Sequence, residues 1–176
     1  MALAIRSFRT GRAVRFIIVE KTSGWYLEVG GDFYALNYDL TVLEDTSNEE
    51  RLKERGLTKL VLPELQRVVS GEYPTFGEGD EHLIGETLKI IDTFRTSKIK
   101  NRLNYLDLSD RFHIKMTVDD TFEVDFGDMI DSATKFDMID EIIAVEQMKG
   151  YAGGVITVIS PAEHSFRGYY AEDTEE

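Results

Sequence analysis

The side chains that could do chemistry in this 176-residue chain are three histidines and a large excess of carboxylates. A Ser–His–Asp hydrolase needs a histidine beside an activated serine, and an α/β-hydrolase presents that serine in Gly-x-Ser-x-Gly. No such elbow is present. His82, His113 and His164 lie far apart, without the short spacing of a metal-ligand pair. The chain has no cysteine, which excludes disulfides, thiolate catalysis and cysteine-ligated zinc. The densest carboxylates are Asp119-Asp120 and the set Asp125, Asp128 and Asp131. Their spacing lacks the Asp-x-Asp-x-Asp-Gly and later Glu of a calcium loop, and fits a hairpin turn followed by a helix start. Gly77-Glu78-Gly79 lacks the third glycine and the preceding strand of a dinucleotide loop, and there is no Walker sequence. The residues therefore predict no catalytic group, metal or cofactor. A carboxylate-dependent hydrolase is the alternative. It requires two carboxylates facing each other in a concave pocket, at least one with a raised pKa. Arg95, Lys98, Lys100 and Arg102 form a local basic patch that could meet an anionic partner or complement the end of a helix.

The elements that would position these groups belong to a folded domain. Apolar residues make up 42 % and charged residues 30 %, a globular balance. The net charge of −13 repels a phosphate backbone, so nucleic acid is not an expected partner. Part of that charge sits in residues 171–176, an acidic stretch without apolar pattern that reads as a disordered tail. No run approaches the length of a membrane-spanning helix.

Val14 to Glu20 holds the first apolar strand, after a polar and irregular start. Trp25 to Val29, the hairpin signal Gly30-Gly31-Asp32, Phe33 to Tyr38 and Leu40 to Leu43 read as a meander. Asn48 to Arg55 fits one or two helical turns. Leu57 to Leu65, apolar around Pro63, reads as an edge strand or extended linker. Residues 71–79 are loop. A helix follows over 81–96, capped by Asp80, with Leu83, Ile84, Leu88, Ile91 and Phe94 on one stripe. A strand starts at Tyr105. Phe112, Ile114 and Met116, then Phe122, Val124 and Phe126, alternate on either side of Asp119-Asp120 as a hairpin with one buried face. A second helix runs over 129–148, capped by Asp128, with Ala133, Phe136, Ile139, Ile143 and Gln147 along one side. Gly150, Gly153 and Gly154 break the chain. Val155 to Ile159 reads as a strand covered on both faces, and Phe166 to Tyr170 as a last strand. About nine strands and two substantial helices predict an α+β fold, an antiparallel or mixed sheet with two main helices on one face.

The order of several of these pieces resembles the extracytoplasmic β-domain of the FtsQ/DivIB family of bacterial cell-division proteins. Tyr105-Leu106-Asp107-Leu108-Ser109 looks like the family's strand and polar turn, and the hairpin Phe112–Met116 and Phe122–Phe126 follows it. Phe126-Gly127-Asp128 stands where the family shows Leu-Gly and a polar residue. Lys135 falls at the position of a recurrent lysine early in the next helix, and Gly154 to Ser160 looks like the closing strand. More loosely, Val14 to Glu20 resembles the strand that ends the preceding POTRA domain, and Leu62-Pro63-Glu64-Leu65 resembles the family's Leu-Pro-x-Leu.

The resemblance implies that residues 1–21 are the end of a truncated POTRA-like segment and that 22–170 are the β-domain. It implies a single-pass membrane protein, with this part on the extracytoplasmic face of the cell membrane. There it would act as a non-enzymatic divisome scaffold that binds FtsL-like and FtsB/DivIC-like partners during septum formation. The family's partner adds a strand near the C-terminal strand. Carried over, that places partner binding on Val155, Ile156, Thr157, Val158, Ile159, His164, Phe166 and Tyr169.

Overall fold

The computed structural model describes residues 2–9, 12–19, 23–77, 82–160 and 162–170, with the backbone alone described for 2–9, 12–19 and 170. Strands β1 (Ala2–Arg9) and β2 (Arg12–Val19) pair antiparallel in a sheet of their own. The segment ahead of Val14, expected to be irregular, is thus a strand, with Ile5 opposite Phe16 and Leu3 opposite Ile18. Arginines interrupt its apolar alternation, and pairing with β2 supplies backbone partners that the side-chain pattern does not announce.

β3 (Ser23–Val29) and β4 (Asp32–Asn37) form the hairpin expected from Gly30-Gly31. Both glycines sit at positive φ, as a two-residue type I′ turn requires. β5 (Val42–Thr46) extends the meander, and α1 (Glu49–Glu54) follows, capped by the Asn48 side chain accepting from the Arg51 N–H. β6 (Thr58–Val61) lies parallel to β3. After a small pair, β7 (Leu65–Arg67) with β8 (Thr75–Phe76), α2 (Leu83–Thr96) leads to β9 (Leu103–Asp107), parallel to β6 on its other side. β10 (Ile114–Val118) and β11 (Phe122–Gly127) continue antiparallel. α3 (Ser132–Met148) then crosses over to β12 (Tyr151–Ser160), parallel to β11, and β13 (Glu163–Tyr170) folds back antiparallel on β12.

The main sheet has nine strands in the order β13-β12-β11-β10-β9-β6-β3-β4-β5. It is a mixed sheet in an α+β fold, with the two substantial helices, α2 and α3, on one face, as expected. Beneath them the strands alternate cleanly. Leu106, Ile114, Met116, Val118, Phe122, Val124, Phe126, Ile156 and Val158 are buried, while Lys115, Glu123 and Asp125 are exposed. Phe94 of α2, Phe136 of α3 and Phe126 of β11 meet there, with ring centroids 4.8 to 5.9 Å apart. On the opposite face α1 covers only the β3–β4 end, where Leu52 and Leu57 pack on Tyr26 and Ala35. The Tyr26 hydroxyl donates to Glu49 at 3.0 Å, and burial followed by that carboxylate pushes the phenol above its ordinary range.

Several local expectations are corrected. Thr58–Val61 is no edge but the middle of the sheet, and it tolerates Pro63 because the strand has ended two residues earlier. Phe112 precedes β10 and is exposed. Helix α3 starts at Ser132, behind Asp131 in a left-handed conformation; Asp128 caps nothing in it and instead accepts from the Ile130 N–H. For α2 the cap position is His82, without a side-chain bond, and Asp80 lies outside the described residues. Strand β12 runs straight through Gly153 and Gly154, and only one of its faces is covered, since Val155 and Ile159 are exposed. No helix among the described residues is long and apolar enough to cross a membrane. The acidic stretch at 171–176 lies outside the described residues.

Candidate functional site

A sheet edge is a row of unpaired backbone donors and acceptors, so the two edges of the nine-stranded sheet are the first places to look for an interaction. They are built differently. At β5 the segment 70–72 closes the start of the strand. The Val42 N–H donates to the Glu72 carbonyl at 2.9 Å, the Gly71 N–H to the Val42 carbonyl at 2.8 Å, and the Ser70 hydroxyl to the Leu43 carbonyl at 3.2 Å. Beyond that, β5 carries Glu44, paired with Arg55, and Asp45, charges that discourage another strand. At β13 no described segment lies alongside the side away from β12.

The residues singled out in the sequence converge here, in three different situations. Ile156 and Val158 point to the helices and are fully buried. Val155 and Ile159 point the other way, 42 % and 59 % exposed, with Thr157 half-buried between them. All five lie on β12, which is paired on both sides and so is not itself the edge. The edge residues are His164 and Tyr169, both exposed, and Phe166, whose ring packs inward at 6.4 Å from Phe122 and 5.5 Å from Tyr151. Across the hairpin Val158 faces His164, Ile156 faces Phe166 and Val155 faces Arg167. On the other side of β12, Glu123 and Asp125 of β11 stand beside Val155 and Thr157. The exposed face near the edge is therefore an apolar strip bordered by carboxylates.

Three glycines shape this hairpin, and two of them, Gly153 and Gly154, read in the sequence as chain breaks. Gly154 and Gly168 face each other across β12 and β13, and the Phe166 ring lies over both. A Cβ on Gly154 would come within 2.6 Å of the Arg167 carbonyl oxygen. Gly153 lies under the Tyr169 ring, whose hydroxyl reaches past it to donate to the Thr121 carbonyl at 3.0 Å. The available signal was the aromatic residue placed near each glycine, an arrangement that fills the space left by a missing side chain.

Behind β11 the crossover is fastened by Lys135, only 1 % exposed. Its ammonium donates to the Phe126 carbonyl at 3.1 Å, the Asp128 carbonyl at 3.0 Å and Asp128 Oδ1 at 3.3 Å, and sits 5.0 Å from the Phe126 ring centroid. Gly127, at φ 68°, turns the chain between those carbonyls. The Ile130 N–H, and after it Lys135, hold the Asp128 carboxyl below its usual range. A depressed carboxyl stabilises the fold above its unfolded pKa of about 4 and loses that contribution as pH falls through the lower folded value. Thermal melts from pH 5 downward should therefore show a shallower loss of stability in Asp128→Asn than in the wild type. Identical slopes would contradict this role for the carboxyl.

The other candidate groups are held in structural pairings. Asp119, at the left-handed start of the β10–β11 turn, takes a bidentate bond from Arg102, which also donates to Asp140 of α3 at 2.7 Å. His113 Nδ1 lies 2.7 Å from Asp110 at the surface. Among the described residues, the carboxyls whose titration departs from the ordinary, Glu49, Asp110 and Asp128, are all displaced downward by donors, opposite to the direction a general acid needs. Among the described residues no group of three His, Asp or Glu side chains is placed to hold a metal ion. No family model matches the sequence, and no curated protein matches it.

Proposed function

We propose that this domain is a non-enzymatic scaffold of the FtsQ/DivIB kind. In that role it would hold FtsL-like and FtsB/DivIC-like partners on the extracytoplasmic side of a bacterial membrane during septum formation. The observation that carries the reading is the asymmetry of the sheet, closed at the start of β5 and, among the described residues, unpaired on the outer side of β13. A partner strand added to β13 takes its affinity from backbone hydrogen bonds, which ask for no particular side chains. Specificity then falls to the surroundings. Val155, Ile159 and Tyr169 offer apolar area to a helix or turn leading into that strand, and Glu123 and Asp125 favour a basic neighbour. The order of elements from β9 to β12 and the placement of Lys135 agree with the family resemblance.

Calorimetry with the extracytoplasmic segments of the same organism's FtsL and FtsB/DivIC homologues tests the reading. The informative variants are Ser165→Pro and His164→Pro: Gly154 donates to the Thr121 carbonyl, so Gly154, Ile156 and Val158 turn their backbone groups to β11, and His164, opposite Val158, turns its own away from β12. Both positions are exposed, and adjacent N–H groups on a strand point in opposite directions, so the first proline removes a bond to β12 and the second removes a donor facing the outer side. The first should lower the melting temperature. The second should leave it nearly unchanged and weaken partner binding about tenfold or more. Wild-type binding that neither proline affects would exclude β13 as the docking strand.

A further inference from the structure

The basic patch Arg95, Lys98, Lys100 and Arg102 divides in two once the chain is folded. Arg102 is held by Asp119 and Asp140, and Lys98 pairs with Asp137 at 2.8 Å. Arg95 and Lys100 instead line one cavity of about 380 Å³, on the half of the sheet remote from β13. Trp25, Tyr38, Phe94 and Asn101 line it with them. A cavity of this size suits a small molecule or a single large side chain.

Three features mark this cavity as a receptor for an anion on an aromatic body. In a chain of net charge −13 no described Asp or Glu lines it, whereas hollows elsewhere on the surface carry Glu28 and Glu64, Glu86 and Asp110, or Glu123 and Asp125. Its donors are largely unused. Trp25 is 4 % exposed, and its Nε1 is the one buried side-chain nitrogen or oxygen among the described residues that lacks a hydrogen-bond partner. The Lys100 and Asn101 side chains have no ion pair or hydrogen bond among the described residues. Arg95 has only a loose contact with Asp92, at 3.6 Å, and its guanidinium lies 4.9 Å from the Tyr38 ring centroid. Finally, the walls are aromatic. Tyr38 stands edge-on to Trp25 at 6.3 Å and presses so closely on Gly24 that any side chain there would collide with its ring. A buried N–H without an acceptor costs stability, so an orphan donor beside free cations points to an acceptor that arrives from outside.

We propose that this cavity binds a carboxylate carried on an aromatic ring, with the acid accepting from the Trp25 Nε1–H beside Arg95, Lys100 and Asn101 and the ring against Tyr38 and Phe94. Such a group could belong to a free aromatic acid or to the C-terminal aromatic residue of a peptide. This inference stands apart from the scaffold reading and does not depend on β13.

Trp25 is the only tryptophan in the chain, so its emission and its indole N–H resonance report on this cavity alone. The purified chain is titrated with phenylacetate and with N-acetyl-Gly-Phe as the free acid, each against its neutral amide. The expected result is a saturable change in the Trp25 signals in the millimolar range with an acid and none with the amides. Arg95→Gln and Lys100→Gln should each weaken it about tenfold, with unchanged circular dichroism. A response to phenylacetate alone supports the proposal and assigns the site to a free acid; a response to the peptide acid as well supports it and assigns the site to a chain terminus. The proposal is overturned if no acid gives a saturable change, if the amides act equally, or if both folded variants bind as the wild type does.

Discussion

Replacing Lys135 with methionine is expected to lower the unfolding free energy by about 3 kcal/mol, a loss set by what the ammonium leaves behind rather than by its charge. Two main-chain carbonyls, of Phe126 and Asp128, take their donors from Nζ. Methionine fills similar volume but donates nothing, and each buried acceptor left unpaired costs about 1–3 kcal/mol. The attraction of the ammonium for the Phe126 ring is lost with it. Asp128 itself recovers part of its loss, because its carboxylate is partly exposed and can be hydrated. Arginine should not rescue the site, since its planar fork cannot direct donors at three oxygens converging on one point. Urea unfolding of the two variants measures this directly. A methionine variant within about 1 kcal/mol of the wild type would mean that the loop before α3 finds other donors.

Gly154→Val should be nearly as damaging to stability and more damaging to binding. The new Cβ meets the Arg167 carbonyl oxygen at 2.6 Å and the Gly168 Cα at 2.8 Å, and these are main-chain atoms of the neighbouring strand. A flexible side chain could swing aside; a paired backbone moves only by unzipping β13. Overpacking of this kind costs about 1–3 kcal/mol. In hydrogen exchange the β12–β13 amides should lose protection while those of β9 and β10 keep theirs, and partner binding at the edge should disappear with the strand. Uniform loss of protection across the sheet would show instead that β13 unfolds only together with the core.

These two residues also show where the sequence was legible and where it was not. The hairpin of β10 and β11 could be read directly, because Ile114, Met116 and Val118, then Phe122, Val124 and Phe126, alternate with polar residues, and burial follows that period. The stripe of α2 was equally plain, but that of α3 holds only at Phe136, Ile139 and Ile143: Ala133 and Gln147 near its ends are exposed, and Lys135 is buried beside Phe136. Gly153 and Gly154 misled because glycine weakens a strand in isolation. Their tolerance comes from Phe166 and Tyr169 lying over them, a contact between segments that no local pattern encodes. Val155 and Ile159 seemed to require cover on both faces. Among the described residues the structure covers one, and leaves Val155 and Ile159 exposed on the other. Pro63 suggested an edge for Thr58–Val61 because the end of that strand could not be located to within two residues. The edge residues of the candidate site were found through the family resemblance. The cavity around Trp25 draws on Arg95 and Lys100, whose freedom became visible only once Asp137, Asp119 and Asp140 had claimed their neighbours.

The place of β6 in the sheet bears on how the molecule reaches its native state. This four-residue strand is slotted between β3 and β9, matching Trp25 to Thr58 on one flank and Lys59 to Tyr105 on the other. The strands beside it, β3 to β5 and β9 to β11, are meanders of nearest neighbours that can zip locally. β6 can be seated only by closing two long stretches of chain at once, with few residues to reward the closure. Its insertion is thus the natural rate-limiting event of folding, the step at which two small, quickly formed sheets become one. Destabilising substitutions in β6, such as Leu60→Ala, should accordingly slow refolding, whereas those in β13 should chiefly quicken unfolding.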